Sequence, residues 1–352
     1  MNRKNPPYLD FIHRELQLPQ NQDNQLLVID LFAGCGGFAL GFEAAGFRTI
    51  GYEMEGDACA TYRRNLRTDC HEMVLTPDTE FPENPVVIIG GPPCQPFSVS
   101  GHQRGLKDSR DGFPIFINAV KRYRPQIAIF ENVRGMLFRN KTYFEEIAIA
   151  LQTLDYFVEW DILTATDYGV PQRRQRLFCI AHQGGWKWPK KAYKSHPYTA
   201  GEALSELAFR ASETAKFLTP SMDEYVKKYE KASKCVKPRD LHLDVPARTV
   251  TCRNLSAPTG DMLRIRLPDG RRRRLTVREG ARLQSFPDWF EFQGTEKSQC
   301  QQIGNAVPPI LAKALAMRVK ECLEKRESAS SENHPQPEQP IQLSFNFMKE
   351  FL

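Results

Sequence analysis

The chain has 352 residues, with 48 Lys and Arg against 42 Asp and Glu, 41% hydrophobic residues and 11% aromatics. That apolar content excludes a wholly disordered chain, and the length predicts one large domain plus a smaller one. The most continuous apolar run, Val86-Val87-Ile88-Ile89, falls far short of the ~20 residues a spanning helix needs, which excludes a membrane protein. Residues 1–25 carry Arg3, Lys4, Asp10 and Arg14 and no apolar stretch, so they read as a polar leader without a secretory signal. Nine cysteines with no C-x-x-C pair argue against a disulfide framework and a Cys-rich zinc site, and favour a reducing compartment. Seven scattered histidines without H-E-x-x-H complete the expectation of no metal.

Leu26 to Phe32 reads as a buried strand closed by Gly34, Gly36 and Gly37. Phe38 to Ala45 has helical spacing, Arg48 to Glu53 reads as a second strand, and Ala58 to Leu66 as a helix. Val86 to Ile89 is a buried strand followed by a Gly-Gly-Pro-Pro loop. Ile115 to Tyr123 is helical, and Ile127 to Phe130 is a strand ending at Glu131. Tyr143 to Leu154 is an amphipathic helix, and Tyr156 to Leu163 and Arg176 to Ile180 are two more strands. This alternation over residues 26–182 predicts an α/β fold, a parallel sheet with helices on both faces.

The alternation fails from Gly184 to Pro246, where Trp186, Trp188, Tyr193 and Tyr198 interleave with lysines. That change predicts a second, smaller domain over residues 183–300. A helix over 301–324 then returns to the first domain, and the Ser, Glu, Gln and Pro of 325–352 predict a disordered tail. Charge is uneven: residues 183–247 hold 12 basic and 8 acidic side chains, residues 248–282 hold 10 and 3, so this block carries +11 and the rest −5. A basic block on an acidic body fits a polyanion partner or a solvated basic face.

Four motifs carry chemistry. In Asp30-Leu-Phe32-Ala-Gly34-Cys-Gly36-Gly37, glycines between strand and helix let the backbone approach a ligand, and helix N–H groups suit an anion. With Glu53 placed to accept from both ribose hydroxyls, the spacing also fits a dinucleotide fingerprint, so an NAD enzyme is the first rival. In Gly90-Gly91-Pro92-Pro93-Cys94-Gln95-Pro96-Phe97-Ser98, prolines cage Cys94 in a loop at the strand's carboxyl edge, where a nucleophile belongs. Glu131, in Phe130-Glu131-Asn132-Val133, would face the same crevice. In Gln172-Arg173-Arg174-Gln175-Arg176, strand alternation puts Arg174 and Arg176 on one side, where they raise the potential around Cys94 or pair with acids.

These motifs resemble those of the DNA (cytosine-5) methyltransferases, in the family's order, over Leu26 to Ala316. The likeness continues through Arg248-Thr249-Val250-Thr251, Arg278-Glu279-Gly280-Ala281-Arg282-Leu283-Gln284-Ser285-Phe286-Pro287 and Gln302-Ile303-Gly304-Asn305-Ala306-Val307-Pro308. The later motifs set the NAD reading aside. The resemblance implies a Rossmann-like S-adenosylmethionine-dependent methyltransferase sheet with a smaller target-recognition domain. It implies Cys94 as the nucleophile on C6 of a flipped cytosine, Glu131 at N3, Arg176 at O2, and Arg174 nearby.

For the cofactor, S-adenosyl-L-methionine (product S-adenosyl-L-homocysteine), the resemblance implies Asp30, Phe32, Gly34, Gly36, Gly37, Glu53, Met54, Pro93, Asn305 and Val307. Met54 stands where some members carry Trp. The usual adenine-contacting Gly-Asp-Ile is not legible, and Glu72-Met73 sits at a plausible spacing. For double-stranded DNA it implies Ser98, Ser100 and Arg110, while Arg271, Arg272, Arg273 and Arg274 after a Pro-Asp-Gly turn read as phosphate contacts. It also implies a monomer in the bacterial cytoplasm, at the nucleoid through DNA, paired functionally with a cognate restriction endonuclease. The alternatives are a tRNA cytosine-5 methyltransferase and a catalytically idle DNA-binding protein.

Overall fold

The computed structural model describes residues 7–20, 25–93, 111–212, 215–232, 234, 240–257 and 260–332. Apolar runs form the sheet strands: β1 (Leu27–Leu31), β2 (Arg48–Glu53), β3 (Cys70–Glu72), β4 (Val87–Gly90), β5 (Ile127–Val133), β6 (Phe157–Thr164) and β8 (Gln175–His182). A short β7 (Gln172–Arg173) precedes β8. The helices among them are α1 (Tyr8–Glu15), α2 (Gly37–Ala44), α3 (Gly56–Asn65), α4 (Phe113–Tyr123), α5 (Met136–Arg139) and α6 (Lys141–Gln152). Seven strands join in the order β3-β2-β1-β4-β5-β8-β6.

The sheet departs from the all-parallel expectation. β8 runs antiparallel to both β5 and β6. Its hydrophobic run is no different from that of its parallel neighbours, so direction was not written in composition. It follows from the connection: β6 ends at Thr164 and β8 begins at Gln175, too short a link for the crossover a parallel pairing needs. Alternation along each strand sends residues to opposite faces. Val28, Ile89, Ile129 and Phe178 join the core under α2 and α3, whereas Ile29, Ile88, Phe130 and Cys179 join the core under α4 and α6.

After β8 come α7 (Ala200–Leu204), α8 (Pro220–Ala232), β9 (Ala247–Arg248), α9 (Cys252–Ser256), β10 (Arg264–Arg266), β11 (Arg272–Arg274), α10 (Val277–Leu283), α11 (Glu296–Asn305) and α12 (Pro309–Glu332). β10 and β11 form an antiparallel hairpin, and β7 pairs in parallel with β9. Tyr198, Leu204, Val250, Ile265 and Leu283 of this region belong to the same buried cluster as Val28 and Phe178. Trp186 is also buried in that cluster, and Tyr198 stacks on Phe11 at 5.2 Å.

The leader reading also needs correction. Residues 8–15 form α1, whose Tyr8, Phe11 and Ile12 are buried, and the Tyr8 hydroxyl donates to the Arg282 carbonyl at 3.2 Å. Three buried positions in a short polar stretch were too few to show a period. At the other end α12 continues to Glu332, past the expected start of the tail at Lys325. No helix among the described residues is long and apolar enough to cross a membrane.

Candidate functional site

Chain order reverses between β1 and β4, since β2 and β3 lie to one side and β5 to the other. The carboxyl ends at such a switch point open into a crevice where α/β sheets bind ligands. Loops after β1, β2 and β4 meet there. Gly34 (φ +55) and Gly36 (φ +86) take left-handed backbone, which a side chain would strain. Phe32 shares that region at φ 58 without being glycine, a conformation of the kind that clusters at ligand clamps.

Glu53, at the end of β2, is bonded to the loop itself. One oxygen, Oε1, accepts from the Met54 and Glu55 amides at 2.9 Å each, and Oε2 accepts from the Gly34 amide at 2.7 Å. A carboxylate offers about four acceptor positions. Room therefore remains for one hydroxyl bond, on the Oε2 side. The expected bonds to both ribose hydroxyls would require the Gly34 amide to let go.

Asp30 is buried beneath the loop, and its Oδ2 has no hydrogen-bond partner. Burial, with Glu53 nearby, pushes its carboxyl well above the usual carboxylate range, and a bond from the Ala39 amide partly offsets this. Met54 is exposed beside Glu53, Asn305 is exposed at the end of α11, and Val307 is buried. Val307 reaches the loop: a Cβ added to Gly37 would meet its carbonyl oxygen at 2.5 Å. The surroundings fit S-adenosylmethionine. They offer an acceptor position on Glu53 for a ribose hydroxyl and a half-buried Phe32 ring for adenine.

The second half of the crevice lies on β5 and β8. Glu131 and Arg176 share a face and sit diagonally across the antiparallel ladder, where Val133 opposes Arg176. Arg176 Nε lies 3.0 Å from Glu131 Oε1. That contact is an ion pair by distance and is not aligned as a hydrogen bond. Glu131 is 9% exposed, and its Oε1 has no hydrogen-bond donor. Asn132 ties this strand to the proline loop by donating to the Pro92 carbonyl at 3.0 Å. Pro93 accepts from the Gly112 amide at 3.0 Å, so residues 93 and 112 meet at the sheet edge. Cys94, Ser98, Ser100 and Arg110 lie outside the described residues.

Arg174 is spent on buried carbonyls. It sits at the break between β7 and β8, only 2% exposed, and its Nη1 donates to the carbonyls of Val250 and Gly304 at 3.1 Å each. Burial, with the Arg176 charge beside it, pulls its guanidinium down to about 9. It still carries its charge at neutral pH.

The arginine run needs a larger correction. Arg273 is 2% exposed and bonds Glu279 at 2.7 and 2.8 Å. Arg272 is buried against Asp223 and Asp240, and Arg274 donates to the Leu255 carbonyl at 2.6 Å. Arg272 and Arg273 hold the hairpin to its surroundings and are not free for phosphates, while Arg274 is half-buried. Arg271 remains exposed, paired with Asp269 and placed 4.3 Å over the Phe217 ring. Among the described residues, no group of three or more His, Cys, Asp or Glu is arranged to hold a metal ion.

Residues 26–321 match the family described as C-5 cytosine-specific DNA methylase. The chain is 58% identical to the Type II methyltransferase M.AplI of Arthrospira platensis, over 96% of this chain and 98% of that protein. It is 35% identical to the Type II methyltransferase M1.HphI of Haemophilus parahaemolyticus, covering 84% and 86% of the two chains. The fold is similar to that of the S. pombe Dnmt2 methyltransferase, with a TM-score of 0.68 at 19% identity over 86% of this chain and 99% of that one.

Proposed function

Since the chain belongs to the C-5 cytosine-specific DNA methylases, we propose that it methylates carbon 5 of a cytosine within one specific sequence of double-stranded DNA, using Cys94 as a covalent nucleophile. The family makes it a DNA cytosine-5 methyltransferase. Its substrate sequence and catalytic steps are our reading, and the observation that carries it is the Glu131–Arg176 pair. A buried carboxylate whose Oε1 accepts no hydrogen bond and lies 3.0 Å from a guanidinium, at the sheet's carboxyl edge, suits the polar edge of a pyrimidine.

Carbon 5 of cytosine is a poor nucleophile. In this reading the Cys94 thiolate adds to C6, and the electrons of the 5,6 double bond move into the ring. Glu131 bonds or protonates N3 as the sulfur adds, which stabilises the adduct as an enamine with C5 as its nucleophilic carbon. Arg176 holds O2. A free thiol is only about 3% ionised at pH 7. The two cations of Arg174 and Arg176 against the single carboxylate of Glu131 raise the potential and favour the thiolate. When bound, S-adenosylmethionine supplies the electrophilic methyl group that C5 takes up. Loss of the C5 proton to a base then expels the thiolate and restores the double bond. The target cannot be reached in stacked duplex, so the base is flipped out at a cost of a few kcal/mol.

Within the cofactor set, Glu53 would bind a ribose hydroxyl, Phe32 would pack on adenine, and Met54, Pro93, Asn305 and Val307 would line the edge. Ser98, Ser100, Arg110 and the exposed Arg271 are the proposed DNA contacts that remain. The names of the relatives support a restriction–modification setting. We read the chain as a monomer acting on bacterial cytoplasmic DNA and protecting it from a partner endonuclease.

The test is tritiated methyl transfer to duplex DNA and to tRNA, with wild type and Cys94→Ser. Transfer to duplex alone, lost in the variant while DNA binding persists, is expected. Transfer to tRNA alone, or a fully active Cys94→Ser, would overturn the reading. Bisulfite sequencing of DNA from expressing cells would then give the target sequence.

A further inference from the structure

Among the buried polar groups, Gln172, Arg174 and Gln284 tie together chain segments that are far apart in sequence. Gln172 and Gln284 are fully buried. Gln172 accepts from the Val250 amide at 2.9 Å and donates to the Leu283 carbonyl at 2.9 Å and to the Gln284 side-chain oxygen. Gln284 spends its own amide group on the carbonyls of Ile303, at 3.0 Å, and Ala306, at 2.7 Å. Arg174 joins the carbonyls of Val250 and Gly304.

The physical need is local. The last carbonyls of a helix have no partner within it, and a cation near them is favoured by the helix dipole. α11 ends at the exposed Asn305, but the carbonyls of Ile303 and Gly304 before it are buried and require donors. Arg174 and Gln284 supply them. The packing there has no slack, since a Cβ added to Gly304 would lie 2.0 Å from the Cys252 nitrogen. Beyond this helix end, Val307 rests against Gly37 of the β1 loop, while two residues from Arg174 stands Arg176 with Glu131.

We propose that Gln172, Arg174 and Gln284 are positioning residues that fix the end of α11 and Val307 against the β1 glycine loop, so that they set cofactor affinity without touching cofactor or cytosine. The inference rests on the reading of the two half-sites given above. It gives Arg174, besides its charge, a structural role as a link between the base-holding strand and the cofactor edge.

The test compares S-adenosylhomocysteine affinity by calorimetry with the single-turnover methyl-transfer rate at saturating S-adenosylmethionine. Gln284→Met removes two hydrogen bonds to the helix end and changes no charge, and Arg174→Lys keeps the charge but not the fork. Each is expected to weaken the ligand about tenfold, or about 1.4 kcal/mol, and Gln284→Met to leave the saturated rate nearly unchanged. Arg176→Lys should do the reverse. Ile147→Val, in the core on the other sheet face, controls for general destabilisation. Unchanged affinity in both Gln284→Met and Arg174→Lys would overturn the proposal. So would an equal loss in Ile147→Val, or failure of both network variants to fold, because the network would then serve only the fold. A wild-type chain that binds no S-adenosylhomocysteine would instead overturn the functional reading.

Discussion

Two groups of buried arginines differ in how their charge is met. At the hairpin, Arg264 bonds Asp240 at 2.6 Å and Glu230 at 2.5 Å, Arg272 pairs with Asp223 and Asp240, and Arg273 pairs with Glu279. Three cations there meet four carboxylates. At β5 and β8, Arg176 pairs with Glu131 and Arg174 bonds only carbonyls among the described residues. Burying a charge without a partner is costly, so a fold that only needed stability would neutralise it. The hairpin does so for these three. Arg174 is left without a carboxylate, as suits the thiolate proposed above. A run of arginines in sequence is therefore a poor guide to binding, and uncompensated charge is a better one.

The largest effect that would break this contrast is at Glu131. Glu131→Gln should keep the fold and lower methyl transfer by about 10²–10⁴-fold, measured as tritium incorporation at saturating DNA and cofactor. At the hairpin the signs reverse. Arg273→Met strands Glu279 and should cost about 3–5 kcal/mol in urea unfolding. Adding Glu279→Gln should restore part of that loss, because the stranded charge is gone. A full loss of activity in an Arg273→Met protein that remains folded would show that the hairpin cluster is not merely structural.

Smaller changes sharpen the comparison. Gly304→Ala forces the 2.0 Å contact with Cys252 and should destabilise by about 1–3 kcal/mol, read from the unfolding midpoint. Arg271→Ala should leave stability within about 0.5 kcal/mol. If Arg271 meets a phosphate, the slope of log affinity against log salt should fall by about 1.

The smallest effect is at Asp288. Burial opposes its ionisation, but the hydrogen bond and charge of Arg282 outweigh this and hold its carboxyl below the usual range. A depressed folded value means the contribution is present above the unfolded pKa of ~3.9 and disappears as pH falls through the folded one. Asp288→Asn should therefore lower the melting temperature slightly at pH 7. The difference should vanish in acid. Partial exposure keeps it small.

Much of the site was legible because its signals are local. Glycines between an apolar run and a helical period marked the β1 loop, and Glu53 and Glu131 stood at ends of strands whose burial was plain from composition. What stayed hidden depended on partners distant in the chain. Gln172 and Gln284 are 112 residues apart and meet in the core, and no spacing rule joins them. Arg272 and Arg273 look like part of any solvated run until Asp223, Asp240 and Glu279 are brought to them. Glu53 was read as an open acceptor because its bond from the Gly34 amide exists only once two loops are side by side.

By itself the sequence determined the strands, the helices between them and the chemical groups at the crevice, since periodicity and side-chain identity act over a few residues. Tertiary structure decided the antiparallel course of β8, the docking of α1 and which charges are neutralised. Those outcomes depend on which surfaces meet, and burial energy is assigned only when they do.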